Sequence, residues 1–247
     1  LLAAKTGDFE TVKALLANDA TVNAMQADGT TALHWAARSD AVDVVDLLLH
    51  AGASPGLANR YGITALALAA ENGNVDIVRS LLNFGADPNT STSSGESVLM
   101  VAARTGRVAV LDALLAKGAV VELTEQWRNQ TALMWAAAEN HADAVTHLVT
   151  AGANVEARSS RGMTPLLFAI REGQFASAKA LVDAGADINA GINNNTASAG
   201  AYTPASNGYT SPLALAIINS HFELGQMLLE AGADPNIPDE RGSLLHA

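Results

Sequence analysis

Few side chains in this sequence are of a type and spacing that could do chemistry. Six are histidines, His34, His50, His141, His147, His221 and His246, and the rest are acids that return in runs such as Gly-Ala-Asp-Pro-Asn at 85–89 and 232–236. A metal or catalytic site needs several such groups on one face. His141 and His147 stand six residues apart, which on a helix turns them to different faces and argues against a shared metal. His50 falls at a helix end, where a cation is locally favoured. The repeated Asp offers one carboxylate per copy, with copies 33 residues or more apart, far from the roughly 6 to 8 oxygens that calcium takes. There is no Gly-rich phosphate loop, no G-x-S-x-G and no H-E-x-x-H. Cysteine is absent, which removes disulfides, thiolate catalysis, zinc fingers and iron–sulfur ligation together. No catalytic residue, metal ligand or cofactor-binding motif is therefore assigned.

The totals agree with a chain built for packing. Of 247 residues 49% are hydrophobic but only 4% aromatic, so the core is made of Ala, Leu and Val, which let helices approach closely. Against 14 bases stand 25 acids, a net charge of −11 that repels phosphate and argues against nonspecific binding to nucleic acid or an anionic membrane. No apolar run reaches the roughly 18 residues of a membrane helix, so no membrane insertion is expected.

Any functional side chain here must be positioned by a repeat. TALHWAA at 31–37 and TALMWAA at 131–137 are nearly the same heptapeptide, and TALALAA (64–70), SVLMVAA (97–103), TPLLFAI (164–170) and SPLALAI (211–217) are further copies. Each is followed by a second signature: HAGAS, NFGAD, AKGAV, TAGAN, DAGAD and EAGAD. The units run 1–29, 30–62, 63–95, 96–129, 130–162, 163–208 and 209–242, with a partial copy at 243–247. Within one unit, ITALALAAENG (63–73) opens on a capping Thr, carries Leu66, Ala69 and Ala70 at helical spacing and stops at Gly73, which predicts a short helix. NVDIVRSLLNFG (74–85) sets Val75, Val78, Leu81 and Leu82 on one stripe and predicts a longer partner helix. Helices this short are marginal alone, so the units must stack.

The pattern resembles the ankyrin repeat, with its T-P-L-H-x-A-A, G-H/N, V-x-x-L-L and G-A-D-x-N segments, over essentially the whole chain, and its style resembles exported bacterial ankyrin repeat proteins. The resemblance implies an all-α solenoid of about seven helix-turn-helix repeats with β-hairpin-like fingers, whose first helices and fingertips form a concave face. It also implies structural roles for His34 and His246 at the repeat's own His position, and for His141 and His221 at helix starts. Asp40 stands where most units have Gly, Pro165 and Pro212 are the surviving prolines of the T-P-L segment, and Val120 and Val121 replace the Asp-x pair, which weakens local hydrogen bonding. As to compartment, the resemblance leans to periplasmic or secreted, with cytoplasmic as the alternative.

By the same resemblance the function is noncatalytic protein–protein interaction, alone or as a subunit of a larger complex, with another protein as partner and no nucleic acid. The position after the repeat's His is apolar in all six internal copies: Trp35, Leu68, Val101, Trp135, Phe168 and Leu215. These residues either pack between repeats or form a half-exposed stripe that a partner covers, with Trp35, Trp135 and Phe168 as candidate anchors. The first-helix ends add Arg38, Arg104 and Arg171, and the fingertips add Arg60, Tyr61, Trp127, Arg128, Arg158 and Arg161. On these two regions eight Arg face seven acids, Glu125 among them, so most of the negative charge belongs to the rest of the surface. The unit that holds Trp127 is one residue longer than its neighbours, which makes that Trp the leading contact candidate.

Unit six carries 13 extra residues in a loop at 190–207, uncharged and rich in Ala, Asn, Ser and Thr, where Tyr202 and Pro204 are the anchoring candidates. This loop is either a tolerated insertion or an adaptable contact. The alternative function, a ligand-binding or enzymatic protein, places the active part in that loop or outside this sequence. Asn89, Asn129 and Asn194 each begin an N-x-S/T acceptor pattern. The start LLAAKTGD reads as the middle of a helix, as in a trimmed or mature piece, and RGSLLHA restarts the motif and breaks off, so either further residues beyond 247 or a partner covering that end is expected.

Overall fold

The computed structural model of the protein describes residues 1–193 and 209–237. Among them are fourteen helices, arranged in two compact units, Leu1–Leu123 and Thr124–Ala247. In the first unit, α1 (Leu2–Lys5), α3 (Ala32–Arg38), α5 (Ala65–Asn72) and α7 (Val98–Arg104) pack in one row. A second row holds α2 (Phe9–Ala17), α4 (Val42–His50), α6 (Val75–Asn83) and α8 (Val108–Ala116), each against its predecessor in the chain. The second unit repeats the plan with α9 (Ala132–Ala138), α11 (Pro165–Arg171) and α13 (Pro212–Ile218), paired with α10 (Ala142–Thr150), α12 (Phe175–Asp183) and α14 (Phe222–Glu230). The fingers are tight turns, closed by backbone bridges between Met25 and Thr31, Ala58 and Thr64, and Ser91 and Ser97. A two-stranded antiparallel pair, β1 (Ile192–Asn193) with β2 (Tyr209–Thr210), stands where the long loop leaves unit six.

Local chemistry explains the breaks between helices. Thr31, Thr64, Ser97, Thr131, Thr164 and Ser211 each cap a first helix with the side-chain oxygen, and all six are buried. Pro165 and Pro212 occupy the first turns of α11 and α13, where a missing N–H costs nothing. The turn into each second helix needs a left-handed residue: Gly7, Gly73, Gly106 and Gly173 supply it without a steric penalty, but Asp40 (φ 54°), Asn140 (φ 61°) and Ser220 (φ 62°) adopt it as well. Asp40 uses its side chain there, accepting from Asn72 Nδ2 at 3.1 Å. Asn140 accepts from Ser177 N at 3.1 Å, which supplies α12 with the N-terminal cap that its own Gln174 does not give. Ser220→Gly is expected to raise the thermal midpoint, by relieving about 0.5–1 kcal/mol of backbone strain. An unchanged or lower midpoint sinks that account.

The core is aliphatic. In α6 the buried set is Ile77, Val78, Leu81 and Leu82, whereas Val75 is half-buried. Val75 is the first helical residue and sits at the edge of the stripe, so Ile77 takes the central place that the sequence pattern gave to Val75.

Polar brackets of one kind tie four of the repeats to the next. Asn23 donates to Gly52 O (3.2 Å) and accepts from Ser54 N (2.9 Å); Asn89 does the same with Gly118 O (3.2 Å) and Val120 N (2.7 Å). Farther along, Glu156 accepts from Asp187 N and Asn189 from Asp234 N. The Asn89 amide of the N-x-S pattern is thus a structural donor. Val120 lacks the local turn that Asp87 makes with Asn89 N and Asp187 with Asn189 N, yet its own N–H stays held by Asn89.

Neighbouring fingers also join through the backbone. Arg60 N donates to Asp28 O (2.8 Å), Ser93 N to Tyr61 O (3.1 Å) and Ser160 N to Arg128 O (2.7 Å). At Gly62 a Cβ would lie 2.8 Å from Ser93 N, so this close approach requires glycine as much as its φ of 77° does.

Candidate functional site

The fourth finger shows how a recognition residue is presented. In the second, third and fifth fingers the turn is held by a short polar side chain at its first position: Asn59 accepts from Tyr61 N and Ile63 N, Thr92 from Glu96 N, and Ser159 from Met163 N. The fourth turn has one more residue to span, and Glu125 occupies that position. Its carboxylate accepts from Trp127 N (2.7 Å), Arg128 N (2.8 Å) and Gln130 N (3.1 Å). Glu125 is only 7% exposed, while Trp127, two residues on, is 79% exposed. The sequence pattern counted Glu125 among surface acids; it is instead the buried brace of the turn. Arg128 is exposed, and its carbonyl accepts from the fifth finger.

Beside this finger lies a hollow of about 350 Å³ between α9 and α11. Met134, Trp135, Ala138 and Phe168 form its apolar part, and Arg128, Glu139, Arg171 and Glu172 stand among its polar lining. Trp135 is half-buried, whereas Phe168 is 3% exposed and packs with Met134, Met163 and Leu167. Phe168 therefore backs the hollow and offers little surface of its own. Arg171 lies over the Phe168 ring at 4.9 Å and forks onto Glu172 with two 2.7 Å contacts.

The first unit builds a related hollow of about 230 Å³, where Trp35, Arg38 and Tyr61 of the second repeat meet Leu68 of the third. Trp35 is half-buried, with Lys5 Nζ 4.6 Å from its ring and its own N–H given to Gln26. Tyr61 is 50% exposed, and Arg60 lies over its ring at 4.9 Å while donating to its hydroxyl. Arg38 is exposed; Arg104 is half-buried, 3.6 Å from Glu96. Leu68 and Val101, at the same repeat position as Trp35, are buried, so the apolar stripe is not continuously exposed. Asp28 is held below the usual carboxylate range, chiefly by the bond from the Thr30 backbone.

In the fifth finger Arg161 is exposed, but Arg158 is used internally, donating to Gly162 O (2.8 Å) and Gly191 O (3.1 Å) at the foot of the long loop. Tyr209 secures the same foot, accepting from Gly191 N at 2.7 Å and donating to Asn189 O. Tyr202 and most of the 190–207 loop lie outside the described residues, as do Asn194, Arg241 and His246.

His34 is the one described histidine in a core position, 2% exposed. Thr31 N donates to Nδ1 (3.2 Å), which leaves Nε2–H to donate to Ile63 O of the next repeat (3.0 Å). Burial pushes its pKa below the ordinary 6.5. The unfolded chain then takes up this proton first, so His34 lowers stability as pH falls through 6.5 toward the folded value and has no effect above it. Melting between pH 7 and pH 5 is expected to show this loss in the first unit, and His34→Met, which copies Met134 at the same repeat position, to reduce the slope. An equal slope in the variant removes His34 as the cause.

The second helices carry the acids. From α2 to α14 they hold nine Asp or Glu against three Lys or Arg, so an acidic partner is repelled there and not at the Arg-bearing fingers. Among the described residues no three His or acidic side chains gather as a metal site, and no helix is long and apolar enough to cross a membrane.

Comparison with known proteins places this geometry. None of the curated proteins matches the chain. The crystal structure of the human ASB11 ankyrin repeat domain resembles it with a TM-score of 0.77 and 26% sequence identity, over 94% of this chain and 97% of that one. Ankyrin repeats are in general protein–protein interaction modules. A family model for three ankyrin repeats matches residues 1–59, 51–125 and 120–192, and one for a single ankyrin repeat matches 209–240. With its paired helices, capped turns and braced fingers covered almost end to end by these matches, the chain belongs to the ankyrin repeat family.

Proposed function

We propose that this chain is a noncatalytic scaffold that binds another protein through the first helices and fingers of its units, with Trp127 and Arg128 as the principal contact in the second unit. The observation that carries the proposal is the fourth finger. A tryptophan left 79% exposed on a turn braced by a buried carboxylate loses little freedom on binding, and such aromatic anchors dominate interface energetics. Trp135 and Arg171 extend this contact into the neighbouring hollow, and Trp35, Arg38, Arg60 and Tyr61 form the counterpart in the first unit. Arg104 and Arg161 contribute positive charge at the edges, and the partner surface is of mixed or acidic character. No nucleic acid is involved, since the net charge of −11 opposes it.

Trp127→Ala is expected to weaken partner binding by about thirty-fold or more while leaving the thermal midpoint unchanged, because the side chain is packed against little of its own chain. The measurement is calorimetric titration with a partner identified by cross-linking from the source cells. Equal affinity for the variant rules out the fourth finger as the contact.

A further inference from the structure

We propose that the surface carrying Trp127 also pairs with the same surface of a second copy of this chain, each copy placing its Trp127 indole in the other's hollow between α9 and α11. The inference rests on the reading above that this surface binds protein, and it names one partner. Three observations support it. The first is chemical fit. An indole has two apolar faces that attract guanidinium groups and one N–H that needs an acceptor. The hollow offers an apolar part from Met134, Trp135 and Ala138, the guanidinium groups of Arg128 and Arg171, and the carboxylates of Glu139 and Glu172. Its volume of about 350 Å³ is that of a small ligand site.

The second observation is adjacency. Trp127 immediately precedes Arg128, which lines the hollow, so projecting group and receiving hollow lie side by side on one copy. A surface that carries both is self-complementary and closes as a two-fold dimer, with the same contact made twice. The third is charge. A chain of net charge −11 repels its own copies over most of its surface, but here two Arg meet two Glu, so two copies approach where local charge balances.

Sedimentation of the whole chain at rising concentration, up to ~1 mM, tests the pairing. The expected result is a concentration-dependent dimer. Trp127→Ala removes the projecting indole and Ala138→Trp fills the hollow, and each is expected to raise the dimer dissociation constant by about thirty-fold or more. Mixed together, the two variants retain one intact indole–hollow pair and should associate more tightly than either does alone. That rescue also shows that Ala138→Trp is folded. A wild-type chain that stays monomeric, or a dimer indifferent to both substitutions, overturns the pairing and leaves the binding of other proteins to stand on its own test. If the dimer responds as expected while a different protein partner binds Trp127→Ala with full affinity, only the earlier assignment of that partner's contact falls.

Discussion

Leu81→Ala is expected to cost about 2–5 kcal/mol, the range for removing a buried leucine when its surroundings collapse only in part. Leu81 has no exposed surface, and its helix α6 is gripped by α4, α5 and α8. Since each repeat of such an array is stabilised by its neighbours, the loss should spread along the first unit, and the unfolding curve should broaden or split into two phases. Chemical denaturation followed by circular dichroism checks this. Leu15→Ala on α2, where the side chain is 47% exposed, serves as the control and should cost far less. Equal losses in the two variants contradict the packing described for α6.

Glu125→Ala is the second large effect, and it is local. The substitution strips three backbone N–H groups of a charged acceptor, each such bond being worth about 1.5–3 kcal/mol in isolation, although the exposed turn recovers part of this from water. The expected result is loss of hydrogen-exchange protection at the amides of Trp127, Arg128 and Gln130, with the helices of the second unit still protected. Binding through Trp127 should weaken even though the indole is untouched. Glu125→Gln keeps one acceptor oxygen and should fall between the two. Protection that survives in the alanine variant means that something other than the carboxylate orders the turn.

Much of this architecture could be read in advance, because in a repeat protein local rules are written many times. Thr64, Asn74 and Gly73 cap and stop the helices at the positions their types predict, and Pro165 and Pro212 open α11 and α13. What could not be read depends on the neighbouring repeat. Trp35, Leu68 and Phe168 hold one repeat position, yet Trp35 is half-buried and the other two are buried, since each is covered by a different set of side chains. Arg158 and Arg161 look alike in sequence, but only Arg158 has the Gly191 carbonyl within reach. Glu125 was legible in principle: one extra residue in the turn, with a long acid where Asn59, Thr92 and Ser159 stand elsewhere, signals a wider loop needing a longer brace.

In the brackets made by Asn23 and Asn89 the side chain stands on the earlier segment and the backbone groups it holds lie later. Asn23, Asn89, Asn140, Glu156 and Asn189 each accept from a backbone N–H that lies later in the chain. During synthesis, which runs from the N-terminus, each newly emerged segment thus meets acceptors that are already in place on the segment before it. Truncated nascent chains should accordingly gain protease resistance stepwise, one helix pair at a time, as they leave the ribosome.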